Sequence, residues 1–115
     1  MELILGGAYQ GKLSWAVRHY GLKPEELCDL AVQAPQEGKR CYYHLEAYTR
    51  RTQTPEILPQ FSGAVLTSRE IGSGVVPVEA EDRAWRERHG AFLQELAARS
   101  EHVTRIFCGL PEVLK

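Results

Sequence analysis

The chain has 115 residues, and its 14 Lys and Arg stand against 15 Asp and Glu for a net charge of −1. With 43% hydrophobic and 25% charged residues it reads as one soluble globular domain long enough to bury a single core. The balanced charge leaves no basic footprint for nucleic acid, and no apolar run approaches the roughly 18–20 residues that cross a bilayer. The start of the chain lacks the pattern of a secretory leader. Cys28, Cys41 and Cys108 form no Cys-x-x-Cys pair, which reads as reduced thiols in a cytoplasm rather than as metal ligands or disulfides.

Along the chain, "ELILGG" is a short apolar run closed by paired glycines, the pattern of a buried parallel strand. From Lys12 the period changes. Leu13, Ala16, Val17 and Tyr20 recur at helical spacing, and Gly21 stops the helix. Pro24, Glu25 and Glu26 open a single helical turn, and "CDLAV" comes next as a short strand. "QAPQEGKR" is a loop, and "RCYYHLEAYTRR" reads as a helix with Cys41, Leu45 and Tyr48 on one face and arginines at its C-terminal end. "TQTPEILPQFSG" is a connection with one helical turn. "GAVLTS" is a second buried strand, running into the glycine turn "REIGSGVVP". Residues 77 to about 99 form a long helix with Val78, Trp85, Phe92, Leu93 and Leu96 on one stripe and Ala84 and Ala97 beside it. Gly90 interrupts it at a cost of about 1 kcal/mol. "HVTRIFCG" is the last strand and "LPEVLK" a tail. Strands alternating with helices give an α/β fold, a parallel sheet flanked by helices, whose ligands gather at the C-terminal strand ends. The glycine turns at 6–11 and 72–74 both come after strand ends and are expected to meet there.

Three constellations carry chemistry. The stretch Gly6, Gly7, Ala8, Tyr9, Gln10, Gly11, Lys12, Leu13 has the outline of a phosphate-cradling loop. Glycines free backbone N–H groups to wrap phosphate oxygens, the next helix presents its positive end, and the lysine adds a point charge. The hydroxyl that normally holds magnesium is replaced by Leu13. Ser14 comes one residue late, about 100° around the helix. A purine nucleotide, GTP or ATP, is the expected ligand, with magnesium in doubt. Second, Glu70 comes after a strand end, where it could bind a cation, position a substrate or take a proton; a solvated glutamate is the plainer reading. Third, His19, His44, His89 and His102 show no metal-ligand spacing, and structural or surface roles are their default.

Two segments, residues 3–12 and 64–115, resemble the bifunctional adenosylcobinamide kinase/adenosylcobinamide-phosphate guanylyltransferases of cobalamin biosynthesis. "LILGGAYQGK" is similar to the Gly-Gly-Ala-Arg-Ser-Gly-Lys-Ser opening of that family. "TSREIGSGVVP", the long helix and the last strand are similar to its Asn-Glu-Val-Gly-x-Gly-Ile-Val-Pro turn and the family's own long helix and final strand. The resemblance implies a reduced member of the phosphate-loop class. It implies phosphorylation of a corrinoid side arm and transfer of GMP to that phosphate through a histidine. That histidine lies on a helix after the second strand, which makes His44 its counterpart, with Glu70 in the turn. It also implies a homo-oligomer and a corrinoid partner, adenosylcobinamide. The departures are Leu13, Arg69 in place of the asparagine before Glu70, and no acidic strand between Arg51 and Gly63. The alternative is a non-catalytic nucleotide- or corrinoid-binding paralogue, regulatory or structural, with Tyr42, Tyr43, Tyr48 and Trp85 as exposed oligomer contacts.

Overall fold

The computed structural model describes residues 1–8, 10–71 and 79–115. Among these residues six strands form one sheet: β1 (Glu2–Gly6), β2 (Leu27–Asp29), β3 (Cys41–Tyr43), β4 (Val65–Arg69), β5 (His102–Phe107) and β6 (Leu110–Val113). Their spatial order is β2-β3-β4-β1-β5-β6. The first five run parallel, and β6 folds back on β5 as an antiparallel hairpin. Among the described residues three α-helices accompany the sheet: α1 (Lys12–Tyr20), α2 (Leu45–Arg51) and α3 (Ala80–Arg99).

Neighbouring residues on a strand point to opposite faces, so each central strand feeds two cores. Leu3, Tyr42, Leu66 and Val103 pack with Leu45 and Tyr48 of α2 and Phe92 and Leu96 of α3. Ile4, Cys41, Val65 and Ile106 pack under α1 around Ala16. The α/β class is therefore the observed one, with helices on both faces of a mostly parallel sheet.

Most elements fall where periodicity places them. β1, α1 with its left-handed cap at Gly21, the helical turns at Pro24–Glu26 and Pro59–Phe61, and β4 all match. Three differences stand out. The helix expected over residues 40–51 is a strand and then a helix: Cys41 and Tyr42 sit fully buried in the sheet, and helix begins only at Leu45. The strand at "CDLAV" ends at Asp29, because the Asp29 carboxylate and carbonyl accept from the N–H groups of Ala31 and Val32 and turn the chain. The expected tail is strand β6, its side chains exposed throughout.

On α3 the stripe of Phe92, Leu93, Leu96 and Ala97 packs inward, and Ala84 faces solvent. Val78, Pro77 and the glycine turn at 72–74 lie outside the described residues. The aromatics expected as exposed oligomer contacts are not so placed. Tyr42 and Tyr48 are buried, and Tyr43 and Trp85 are partly covered. Among the described residues the exposed large apolar side chains are Phe107, Leu110, Val113 and Leu114 on and after the hairpin, with Val32.

Candidate functional site

The opening strand, loop and helix meet at the C-terminal end of the sheet. Gly6 ends β1 beside β5, and a Cβ there would stand 2.6 Å from the Ile106 carbonyl oxygen, so only glycine fits. Gly11 adopts φ 87°, a left-handed conformation, at the start of α1. Gln10 ties the loop to the β5–β6 turn: its side-chain oxygen accepts from the Cys108 N–H at 2.6 Å, and its carbonyl from the Gly109 N–H at 3.0 Å. The Glu70 N–H donates to the Gly6 carbonyl at 3.1 Å, so the two strand ends that precede the glycine turns lie side by side. Lys12 Nζ donates to the Gly7 carbonyl at 2.7 Å. Burial lowers the Lys12 pKa. Glu46 opposes the shift, Arg69 adds to it, and Glu70 opposes it.

A cleft of about 430 Å³ opens beside this loop. Gly11, Lys12, Leu13 and Ser14 from the loop and α1 line it, together with Tyr43, His44, Glu46, Thr67 and Arg69. The structure thus brings His44 together with the loop lysine. It also adds Glu46, a 7% exposed carboxylate whose Oε1 accepts from the Arg69 N–H at 3.0 Å.

His44 is not on the helix where the sequence placed it. It comes directly after β3, the third strand, adopts φ 60° and precedes α2. The parallel register sets Asp29 opposite Tyr43, which carries the Asp29 carboxylate to His44 Nδ1 at 2.7 Å. An ionised carboxylate only accepts, so Nδ1 carries a hydrogen; in the neutral ring Nε2 keeps its lone pair, and it has no partner among the described residues. Burial works against ionisation of Asp29. Hydrogen bonds from His44 and the Ala31 N–H outweigh it and hold the carboxyl below its ordinary pKa.

Glu70 does not line the cleft. Its carboxylate lies 3.6 Å from Arg105 Nε on β5. Tyr9 lies outside the described residues. His19 stacks on Trp15, and His102 pairs with Glu2 at the far end of the sheet. There Glu2, Glu101 and His102 bring three potential metal-ligand atoms within 4.8 Å of one another, at exposed positions.

The described residues do not fit a magnesium site of the usual phosphate-loop kind. The hydroxyl position holds Leu13. Glu46 is the only carboxylate lining the cleft among the described residues, and one of its oxygens is already held by the backbone. Positive charge in the cleft comes from Lys12 and Arg69.

The family model described as cobinamide kinase / cobinamide phosphate guanyltransferase matches residues 44–114, more than half of the chain. The chain belongs to that family. Membership in the cobinamide kinase/guanyltransferase family ties it to cobalamin biosynthesis, with a nucleotide and cobinamide as the family's substrates. The match runs from His44 through α2, β4, α3 and β5 into β6, while the opening loop lies before it. No curated protein matches the chain. Among the described residues no helix is long and apolar enough to cross a membrane.

Sequence reasoning missed Glu46, Asp29 and Thr67. Asp29 and His44 lie 15 residues apart, and only the pairing of β2 with β3 joins them. The adjacency of Arg69 to Glu70 was the one legible hint of cationic charge at that strand end.

Proposed function

We propose that this chain is a single-domain nucleotidyltransferase that takes GMP from GTP onto His44 and passes it to a phosphorylated cobinamide. The observation that carries the reading is the His44–Asp29 pair, whose histidine lines the same cleft as Lys12.

The neutral Nε2 attacks the α-phosphorus. An N–P bond forms and the P–O bond to the β-phosphate breaks, so pyrophosphate leaves. The imidazole becomes cationic, and Asp29 beside Nδ1 stabilises that charge. Lys12 and Arg69 offset the charge gathering on the leaving phosphates. A phosphate oxygen of the acceptor then attacks phosphorus, the N–P bond breaks, and His44 returns to its starting state. Residues 6–13, that is Gly6, Gly7, Ala8, Tyr9, Gln10, Gly11, Lys12 and Leu13, form the triphosphate cradle. Glu70, next to the cradle and paired with Arg105, orders the strand end rather than meeting substrate. The cytoplasm and a homo-oligomer belong to the same reading; the free cysteines and the exposed apolar hairpin support them.

Pure protein incubated with GTP should gain the mass of GMP, and a His44→Ala variant should not. An unmodified mass with bound GTP would favour a non-catalytic nucleotide-binding protein instead, a reading that the Leu13 substitution supports.

A further inference from the structure

Behind the cleft lies a histidine that the transfer chemistry does not use. His89 on α3 is fully buried, with both ring nitrogens engaged. Nε2 lies 3.1 Å from the Arg69 carbonyl and 3.0 Å from Ser68 Oγ. Nδ1 lies 2.7 Å from Thr49 Oγ1 on α2. Thr49 Oγ1 is also 3.1 Å from the Glu46 carbonyl and 3.2 Å from Trp85 Nε1. Trp85 Nε1 reaches the Glu46 carbonyl as well, at 3.2 Å.

The donors and acceptors can be counted. The Ser68 hydroxyl donates to the Arg69 carbonyl at 3.0 Å, so its oxygen is left to accept; Nε2 therefore carries a hydrogen and donates toward the Arg69 carbonyl and Ser68 Oγ. Thr49 has one hydroxyl hydrogen and two possible acceptors, His89 Nδ1 and the Glu46 carbonyl. With His89 neutral, Nδ1 needs that hydrogen, and the Glu46 carbonyl is left to Trp85. With His89 protonated, Nδ1 donates to Thr49, and the Thr49 hydroxyl turns to the Glu46 carbonyl. Both arrangements satisfy every group without moving a heavy atom.

We propose that His89 is a positioning residue of the cleft: one imidazole holds Arg69 through its carbonyl and, when protonated, Glu46 through Thr49, so that its protonation state sets which way the Thr49 hydroxyl points. Burial favours the neutral form, while the Arg69 carbonyl and the Glu46 charge oppose that shift. Among the described residues, the charged groups on the elements packed against the ring are Glu46, Arg50 and Arg51 on α2 and Arg69 on β4; Arg50 pairs with Asp82 at 2.6 Å, and Arg51 donates to the Gln33 carbonyl at 2.7 Å. Arg88 on α3 adds its guanidinium, bonded to the Thr49 and Arg50 carbonyls. The proposal takes the cleft as the nucleotide site and so rests on the preceding reading.

The test joins histidine NMR to nucleotide binding. Nitrogen-15 spectra of the intact chain should show His89 at neutral pH as the Nε2–H tautomer. The Glu46 and Arg69 amide signals should titrate at the His89 midpoint, with and without His44→Ala. GTP affinity should fall about tenfold in His89→Phe, the effect of one misplaced hydrogen-bonded contact. In His89→Gln, which keeps a donor toward Arg69 and cannot titrate, affinity should return and the co-titration of the two amides should vanish. An Nδ1–H tautomer, or Glu46 and Arg69 signals indifferent to the His89 midpoint, overturns the proposal. Co-titration in a protein that binds no nucleotide in any form would overturn the proposed site while leaving the hydrogen-bond network standing.

Discussion

Replacing Asp29 by asparagine tests the chemistry assigned to His44 more sharply than removing the histidine, because the ring and the cleft stay in place. In the wild type a carboxylate accepts from Nδ1 at 2.7 Å. In Asp29→Asn the new side chain could offer only a neutral carbonyl oxygen, or present its amide and turn the ring. A charge-assisted bond contributes about 1.5–3 kcal/mol when dry. Here the His44 side chain is 50% exposed and that of Asp29 23%, so solvent screening brings the ground-state loss down to about 0.5–1 kcal/mol. In a small domain that shifts Tm by only a few degrees, at roughly 4–8 °C per kcal/mol. The transfer step is more sensitive, because the ring becomes cationic as the N–P bond forms. Losing about 1.5–3 kcal/mol of that stabilisation slows the step roughly 10- to 100-fold. The assay is the rate of GMP incorporation, read by intact mass at saturating GTP, beside a thermal melt of the same variant. An unchanged incorporation rate with a small loss in Tm would refute the role given to the pair. Lowering the pH acts on the same carboxyl. Its folded pKa lies below the unfolded value of about 3.9, so its contribution is complete above that value and is lost as pH falls through the folded one.

Lys12→Ala removes the cation of the loop and should weaken GTP binding by roughly 10- to 100-fold, the span of one charged contact, measured by titration with a fluorescent analogue. The His89 pKa is depressed in the folded chain, so the unfolded state takes up a proton first, near pH 6.5. Stability should therefore be complete above that pH and fall below it, by up to about 1.4 kcal/mol per pH unit. Urea unfolding of the wild type and of His89→Gln should show that slope flattened in the variant. Gly90→Ala should stabilise α3 by about 0.5–1 kcal/mol, because a Cβ there meets nothing within 4 Å and the residue is helical; a thermal melt checks it.

The parts legible in the sequence were those where one signal ruled. In β1 and α1 an apolar run, a glycine break and a three-to-four spacing succeed one another without conflict, and the structure reproduces all three. β4 and α3 are similar. The segment over residues 40–51 misled because it satisfies two periods. Cys41, Leu45 and Tyr48 fit a helical face, yet Cys41 and Tyr42 are adjacent strand residues and both fully buried, as in a sheet covered on both sides. β6 was invisible because its side chains are exposed and its alternation marks no core. At the candidate site the loop and Lys12 are legible from spacing. Glu46, Asp29 and His89 are not, since a sequence shows neither the burial of a polar side chain nor a contact made through strand register. His44 was singled out through the family resemblance. The structure gives it a different local setting, after β3 and before α2, and a carboxylate partner.

The most direct measurement is phosphorus-31 NMR of the protein after incubation with GTP, and again after mild acid. The account predicts a phosphoramidate signal that acid removes, that requires His44, and that migrates to a phosphorylated cobinamide when this is added. A phosphoramidate that persists in His44→Ala, or GTP bound with only its own three phosphorus signals, would contradict it.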